Sequence, residues 1–320
     1  MKSVTGIISI QDRPPGSSTL SGMLAGSILG IAAIASTASA SENGGFSNFP
    51  VGAQTVGAAF LPPPGATEFY GYGLFYSATS VRDGAGNKIP GLSAQVFAQA
   101  PRIVHTWKTT FAGITITSGL VAESAYVKVK LNGNSDEDFG ATLVGFEPFD
   151  LTAAWGNFHF LSGTHFYIPV GPYDRNSLAN STTNYAALAQ QFAVTWLPTP
   201  RWDISINPNI EFNLRNKATG YRSGDQFGLT YGVSYRPFPG DPKWQLGVNG
   251  YYALQISDDR LRGTPVPGGN RLRKTSVGPQ LIYSFTPAAV ILVKWQHEMD
   301  VRNGPQGDLF WLEFAFPLPL

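Results

Sequence analysis

Side chains between residues 201 and 257 alternate between apolar and polar with a period of two. At the start of this stretch Trp202 and Ile204 fall on one side of the chain, and Asp203 falls on the other. Since successive side chains of a β-strand point to opposite faces, the alternation predicts strands with one apolar and one polar face. The strands predicted here are 201–215, 226–236 and 243–257.

These predicted strands are long, and aromatic residues lie near both ends of their apolar faces. Strands of soluble sheets have about five or six residues. Strands of about ten residues that are apolar on one face and polar on the other are typical of a transmembrane β-barrel. The predicted fold class is therefore all-β, a transmembrane antiparallel up-and-down β-barrel.

The same pattern extends along the chain and predicts about twelve strands between residues 68 and 320, an even number as in bacterial single-chain barrels. Short connections, such as 198–200, alternate with longer ones, such as 258–270. Short periplasmic turns and longer extracellular loops are typical of outer-membrane barrels. Both chain termini are therefore expected on the periplasmic side.

Several segments are patterned less simply. Residues 139–148 are predicted to be a strand with poor alternation, and residues 301–307 are predicted to be a loop. Asn132–Asp138 is predicted to be an acidic loop; its oxygen atoms suit calcium, but a solvated loop is the simpler interpretation. The first strand is expected to face lipid with Tyr70, Tyr72, Leu74 and Tyr76.

Composition supports a membrane protein. Charged residues make up 13% of the chain, against about 25% in soluble proteins, and aromatic residues also make up 13%. The net charge is +1, which does not provide the strongly basic surface that nucleic-acid binding requires. The chain has no cysteine, which excludes a thiol nucleophile.

The first 67 residues are predicted to lie outside the barrel strands. Residues 1–40 are predicted to be a signal peptide, with positive charge at Lys2, an apolar region over 20–35 and an A-x-A cleavage motif at 38–40. A retained membrane anchor is the alternative. Residues 41–67 form an irregular segment, rich in glycine and proline, expected either in the periplasm or in the barrel lumen. Export followed by a barrel indicates the outer membrane of a Gram-negative bacterium.

Short stretches that carry a family resemblance lie at Leu61–Gly65, Tyr173–Asn180, Thr195–Leu197, Tyr221–Asp225, Val293–Gln296 and Pro305–Asp308. In their order and spacing they resemble the outer-membrane channel family associated with the meta-cleavage pathway of phenol degradation. The resemblance implies a monomeric barrel of about twelve strands that acts as a diffusion channel. Such channels are often linked to the uptake of aromatic or other hydrophobic small molecules. Residues 123–156 match the family pattern poorly.

Motifs of common enzymes are missing from the sequence. There is no G-x-S-x-G, no H-E-x-x-H and no glycine-rich phosphate loop. His159 and His165 share one predicted lumen face, where two histidines suit a metal site or a hydrolase dyad. Lining of the lumen is the simpler interpretation, because Ser162 has the wrong parity to pair with His159. No catalytic residue, metal site or cofactor is predicted.

The polar faces of the strands predict a lumen lining that contains charged residues. A lipid-facing Arg or Lys at mid-depth costs about 2–4 kcal/mol, so charged side chains of the strands are expected to point inward. Lys294 and Glu313 are expected at similar depth on neighbouring strands, where they form part of a charged belt. The predicted pore-lining residues are His159, His165, Asp203, Asn207, Asn209, Glu211, Arg236, Lys243, Lys294, Gln296, Glu298 and Glu313.

The function predicted from these patterns is passive diffusion of small, aromatic or hydrophobic molecules across the outer membrane. An outer-membrane enzyme that acts on envelope lipids and a structural or adhesive barrel are the alternatives. The expected partners are the lipid bilayer, lipopolysaccharide, a small-molecule permeant and the outer-membrane assembly machinery. The chain is expected to be a monomer.

Overall fold

Twelve long antiparallel strands form the barrel in the described part of the chain, as the alternation predicts. A computed structural model describes residues 42–45 and 47–319; the predicted signal peptide lies outside the described residues. No helix among the described residues is long and apolar enough to span a membrane. The strands are β1 Thr67–Arg82, β2 Leu92–Phe111, β3 Ile114–Leu131, β4 Asn134–Trp155, β5 Phe158–Pro169, β6 Ala187–Trp196, β7 Trp202–Asn213, β8 Gln226–Tyr235, β9 Trp244–Gln255, β10 Arg273–Thr286, β11 Ala289–Arg302 and β12 Gly304–Leu318.

The sheet closes on itself. Each long strand pairs with its neighbours in the chain, and β12 returns to pair with β1 from Thr67↔Leu318 to Arg82↔Gly304. Closure leaves no unpaired strand edge, which is the condition for crossing a bilayer with β-structure. The short two-residue strand Lys88–Ile89 adds to the end of β1.

The connections differ at the two ends of the barrel. Residues 83–91, 170–186, 214–225 and 256–272 connect strands at one end, here called the long-loop end. The other connections of that end are tight turns, at Asn132-Gly133 and at Asn303. The opposite end is here called the short-turn end, and the strand termini Thr67 and Leu318 both lie there.

The two tight turns correct two predicted loops. Residues 132–138 are not an acidic loop, because Asn132 and Gly133 adopt φ values of +49° and +87° and form a two-residue hairpin turn. The carboxylate of Asp136 accepts hydrogen bonds from the loop after β5, among them 3.1 Å from the backbone N of Ala179. Residues 301–307 likewise belong to strands β11 and β12, apart from Asn303.

The outer surface of the barrel is apolar. On β5, β11 and β12 the aromatic residues predicted to face lipid are indeed exposed, as Phe166, Trp295 and Phe310 illustrate. Stacked, tilted and edge-on aromatic pairs near the short-turn end form the girdle expected at a membrane interface. These pairs are Phe158–Trp196, Trp202–Tyr235 and Trp244–Tyr283. A closed barrel with this outer surface is a protein of the bacterial outer membrane.

The faces of β1 are opposite to the prediction. Tyr76 is fully buried in the lumen, where its hydroxyl donates to Glu298 over 2.8 Å. The outer face instead carries Phe69, Phe75 and glycines, and a Cβ atom on Gly71 would lie 2.3 Å from the ring of Phe314. The prediction was wrong because tyrosine suits either face, and here its hydroxyl has a partner inside. The residues with reversed orientation are Tyr70, Tyr72, Leu74 and Tyr76.

A β-bulge explains the poor alternation of β4. The pairing with β5 passes from Phe146↔Phe166 to Phe149↔Thr164, so β4 carries one extra residue there. Pro148, which cannot donate to the ladder, lies in the bulge. The bulge reverses the parity of the strand and brings both Glu147 and Asp150 into the lumen, although they are three residues apart.

The irregular segment before β1 lies inside the barrel. It begins with a short 3₁₀ turn at Glu42–Gly45 among the long loops and reaches β1 at the short-turn end. The barrel strands therefore begin and end at the short-turn end, where both termini are predicted. The first described residues of the chain instead lie at the long-loop end. We call residues 47–66, together with the turn at 42–45, the lumen segment.

Candidate functional site: the filled lumen

The outer end of the lumen segment is attached to the long loops. The carboxylate of Glu42 accepts hydrogen bonds from the Tyr173 hydroxyl, over 3.2 Å, and from the Asn216 amide, over 3.1 Å. Burial raises the pKa of Glu42 above its ordinary value. Burial and the nearby Glu42 raise the pKa of Tyr173 to about 12. These contacts join the segment to two separate loops.

Glu211 on β7 holds the segment below this point. Its carboxylate accepts from the hydroxyl of Ser47 over 2.8 Å and from the backbone N of Phe49 over 2.6 Å. Asn48 adds two more hydrogen bonds, from its backbone N over 3.1 Å and from its side-chain amide over 3.5 Å. Glu211 is fully buried, so these donors replace the water that a carboxylate otherwise requires.

The middle of the segment contacts several strands of the barrel. The backbone N of Gly52 donates to Thr230 over 2.8 Å, and its carbonyl oxygen accepts from Gln296 over 2.9 Å. Gly52 has a φ of +93°, and a Cβ atom there would lie 2.8 Å from Gln296 and from Tyr251. Only glycine therefore fits this close approach.

One side chain of the segment binds two strands. The side-chain oxygen Oε1 of Gln54 accepts from the side-chain amide of Gln191 on β6 over 2.6 Å and from that of Asn207 on β7 over 2.9 Å. Lys294 on β11 donates to the carbonyl oxygen of Ala53. The segment thus links β6, β7 and β11 across the lumen.

The inner end of the segment continues the same pattern. Thr55 donates to Gln280 over 2.7 Å, and the backbone N of Gly57 donates to Asp203 over 3.0 Å. The ring of Phe60 packs edge-on against His159, with the ring centroids 4.6 Å apart. Hydrogen bonds to the segment therefore follow one side of the lumen over its whole depth.

The opposite side of the lumen contains an ion-pair network. The guanidinium of Arg102 on β2 forms a bidentate pair with Glu147, at distances down to 2.6 Å, and lies 3.3 Å from Asp150. Asp150 also lies 3.0 Å from Nε2 of His165. All four side chains are buried. These residues satisfy each other, and the segment reaches them through Phe49, whose ring stacks on His165 with centroids 5.9 Å apart.

This network has the ligand types of a metal site. Glu147, Asp150 and His165 each place one ligand atom within 4.8 Å of the other two. Arg102, however, donates to both carboxylates and already supplies the positive charge. The described geometry is therefore that of an ion-pair network whose cation is a side chain.

Two further ion pairs lie inside the barrel. The ammonium of Lys294 is 2.7 Å from the carboxylate of Glu313, so the two residues predicted to share one depth form an ion pair. Glu298 lies 2.9 Å from Lys274 and accepts from the hydroxyls of Tyr76 and Tyr251. The residues of the two ion pairs and the two tyrosines lie on strands β9 to β12 and on β1.

Most predicted pore-lining residues point into the lumen. His159 is half-buried beside Phe60. Arg236 and Lys243 instead lie just beyond the strands at the short-turn end, where Arg236 donates to the carbonyl oxygen of Pro200 over 3.1 Å and Lys243 is exposed. The lumen-facing residues are His165, Asp203, Asn207, Asn209, Glu211, Lys294, Gln296, Glu298 and Glu313.

Arg102, Glu147 and Asp150 were absent from the predicted set. The spacing of Glu147 and Asp150 assigns them to opposite faces of a regular strand. The proline between them is the signal that indicates a bulge, because proline within a strand is found mainly at edges and bulges.

Comparisons with known proteins agree with this fold. Residues 78–314 match the family described as "Putative MetA-pathway of phenol degradation". A search of the curated proteins finds no match. The COG4313 outer membrane channel from Pseudomonas putida F1 is similar in structure, with a TM-score of 0.72, 15% identity, and coverage of 82% of this chain and 98% of that chain. The β domain of the Bordetella autotransporter BrkA is similar with a TM-score of 0.51, 7% identity, and coverage of 79% and 100%.

Proposed function

Since the chain belongs to the family of the putative MetA-pathway of phenol degradation, we propose that it is an outer-membrane channel for small molecules, closed by its lumen segment. The observation that most directly supports this proposal is the way the segment is held in the lumen. Residues 47–59 are held by hydrogen bonds to side chains of the barrel, such as Thr230 and Asp203, whereas backbone pairing with β2 occurs at Gly65 and Ala66, next to β1. Such a bond contributes about 0.5–1.5 kcal/mol of net stability between neutral groups and about 1.5–3 kcal/mol when it ends on a carboxylate, because water can replace it.

Displacement of the segment would leave a polar path. Asp203, Asn207 and Glu211 would then face water that enters the lumen, and water would supply their hydrogen bonds. The ion-pair network around Arg102 needs no segment contact and would stay in place. The barrel wall thus has its own stability, and the segment can act as a gate.

The proposed permeants are small aromatic or hydrophobic molecules. Two aromatic rings of the segment lie along the path, Phe49 on His165 and Phe60 on His159. Phe49 also packs against Tyr167 and Leu143. A permeant with an aromatic ring can occupy the position that Phe49 leaves on His165 and can pack against the aromatic faces of Phe60 and His159, because these faces remain available without residues 42–59. Sugars of similar size lack this apolar contact.

The lipid-modifying enzyme has weaker support. A His–Asp pair does occur on the outer surface, where His297 lies 2.8 Å from Asp308. A hydrolase requires a serine next to the histidine. The residue paired with His297 on β10 is Val277, and Ser77 lies opposite Asp308 instead. The order of the side chains is therefore wrong for a Ser-His-Asp triad.

Liposome swelling tests the proposed permeants. We expect a variant that lacks residues 42–59 to admit aromatic acids faster than sugars of similar size. The full-length chain, reconstituted at equal density, should admit both more slowly. Swelling rates that depend on size alone would contradict the aromatic preference and leave the channel intact. No swelling by the deletion variant with any solute would contradict the channel itself.

A further inference from the structure

Three neighbouring strands extend well beyond the membrane. Strands β5–β9 have 10–12 residues, whereas β2, β3 and β4 have 20, 18 and 22. At about 3.3 Å per residue and a tilt of about 40°, the shorter strands span roughly 25–30 Å, close to the apolar band of about 25 Å. The longer strands therefore project roughly 15–30 Å further at the long-loop end.

The outer face of these strands changes from aromatic to polar along its length. Phe75, Phe97 and Tyr126 are paired in register across β1, β2 and β3. The next outward residues toward the long-loop end are Ser77, Gln95 and Lys128, which are also paired in register. Counted from the start of β3, Lys128 lies roughly 35 Å above the short-turn end, which is above the apolar band. This is the depth of lipid headgroups.

A cleft lies on this polar outer face. Its volume is about 160 Å³, and hydroxyl, amide and ammonium groups line it. Lys130 is exposed at its edge, and the described residues provide no ion pair for it. The lining side chains on this face are Ser77, Thr79, Ser93, Gln95, Lys128 and Lys130.

The acidic groups around the cleft already have partners. Glu137 lies 2.8 Å from the ammonium of Lys128 and accepts from the Tyr126 hydroxyl over 2.8 Å. Asp308, opposite Ser77, accepts from Trp295 over 2.9 Å and lies 2.8 Å from His297. Two ammonium groups and several neutral donors thus surround the cleft, and none of its lining residues carries a carboxylate.

We propose that this cleft binds a phosphate group of the outer-leaflet glycolipid, the phosphorylated saccharide headgroup of lipopolysaccharide. Ammonium groups and hydroxyl donors form charge-assisted hydrogen bonds with phosphate oxygens. The aromatic row below the cleft suits the acyl chains of the same molecule, since aromatic rings are enriched at the level where headgroups meet hydrocarbon. The outer wall therefore holds one lipid at a defined place, independent of the lumen.

The test is binding of bisphosphorylated lipid A to the full-length protein in detergent, measured by native mass spectrometry. We expect Lys128→Gln/Lys130→Gln to bind at least about tenfold more weakly than wild type, since two charge-assisted hydrogen bonds are lost. Arg215→Gln/Lys217→Gln, which removes two positive charges from another long loop, should bind like wild type. Glu137→Gln should bind more tightly, because it removes the carboxylate that competes for Lys128.

Two comparisons identify the ligand. Dephosphorylated lipid A should bind about as weakly to wild type as bisphosphorylated lipid A binds to the double lysine variant. Inorganic phosphate at millimolar concentration should not displace lipid A, because it lacks the acyl contacts. Equal binding of lipid A by wild type and the double lysine variant would overturn the proposal, as would equal binding of the dephosphorylated lipid. The retained heat-modifiable mobility of the folded barrel shows that each variant has assembled.

Discussion

The two sides of the lumen are stabilised in different ways. On the side formed by β6–β11, inward polar groups such as Glu211, Thr230 and Gln296 have the lumen segment as their partner. On the side formed by β2–β5, Arg102 and Glu147 are partners of each other. The first side depends on a removable part of the chain, and the second is complete without it.

This difference indicates how a barrel can be both stable and gated. Charges that form part of the wall are paired within the wall, where an unpaired buried charge costs several kcal/mol. Groups that become exposed when the segment moves are mostly amides and hydroxyls, which water solvates readily. The exceptions include two carboxylates: Asp203, which accepts from the backbone N of Gly57, and Glu211, which accepts four hydrogen bonds from the segment. We therefore expect variants on the two sides to affect different properties.

The largest effect is expected on the self-contained side. Arg102→Ala leaves Glu147 and Asp150 buried without their cation, and should lower the free energy of unfolding by about 3–5 kcal/mol. The measurement is denaturant-induced unfolding of the refolded barrel. Arg236→Ala, at the short-turn end, is the control and should change stability by less than about 1 kcal/mol. Equal stability of the Arg102 variant and wild type would show that the network does not hold the wall.

The next largest effect is expected when a charge is placed on the outer surface of the barrel instead of in the lumen. Leu229 faces outward on β8, and Leu229→Arg should destabilise the folded barrel in the membrane by about 2–4 kcal/mol because the charge contacts lipid. Thr230 faces inward, so Thr230→Arg should assemble well but displace Gly52 of the segment. The folded fraction of each variant in membranes measures the difference. Similar folding yields for the two would contradict the assignment of faces.

A smaller effect is expected on the segment-dependent side. Glu211→Gln keeps the shape but weakens the four hydrogen bonds that the charged form accepts, so the segment should leave the lumen about tenfold more often. Since the chain has no cysteine, a single cysteine at Gln54 reports this exposure through its rate of thiol labelling. Glu137→Gln on the outer surface is the control. Unfolding should change little, and an unchanged labelling rate would contradict the role of Glu211.

The smallest effect concerns ion preference. In a variant lacking residues 42–59, Glu313→Gln should make the open lumen more anion-preferring, and Lys294→Gln should shift it the other way. Each change removes one partner of a buried pair, and low-dielectric walls focus the remaining charge. The reversal potential in a salt gradient measures both shifts, which should be largest at low salt. No shift in either folded, conducting variant would mean that the pair only fills space.

The two sides also differ in how well the sequence predicts them. Strands β7–β9 alternate regularly, so Asp203, Asn207 and Glu211 could be assigned to the lumen from parity alone. On β4 the bulge at Pro148 breaks the parity, and the residues of the network could not be assigned. Local alternation is a property of regular strands, and a bulge removes it at the place where two charges share one face.

The lumen segment shows a second limit of sequence patterns. Its position depends on contacts between residues far apart in the chain, such as Gln54 with Asn207. The segment has no period of its own, because its backbone is satisfied by side chains of the barrel rather than by a regular ladder. The sequence therefore left both locations, the periplasm and the lumen, open for this segment. The orientation of β1 failed for a related reason, since the hydroxyl partner of Tyr76, Glu298, lies on another strand.

Conductance with the segment fixed in place is the most direct test of the gate. Gln54→Cys/Asn207→Cys places two thiols at side chains that are in contact, in a chain without other cysteines, so that a short bifunctional thiol reagent can link them. In a planar bilayer we predict that the linked protein stays closed, that the unlinked protein opens at intervals, and that the variant lacking residues 42–59 conducts persistently. Each single-cysteine variant treated with the reagent serves as a control. Conductance of the linked protein equal to that of the unlinked protein would contradict a gate formed by the lumen segment.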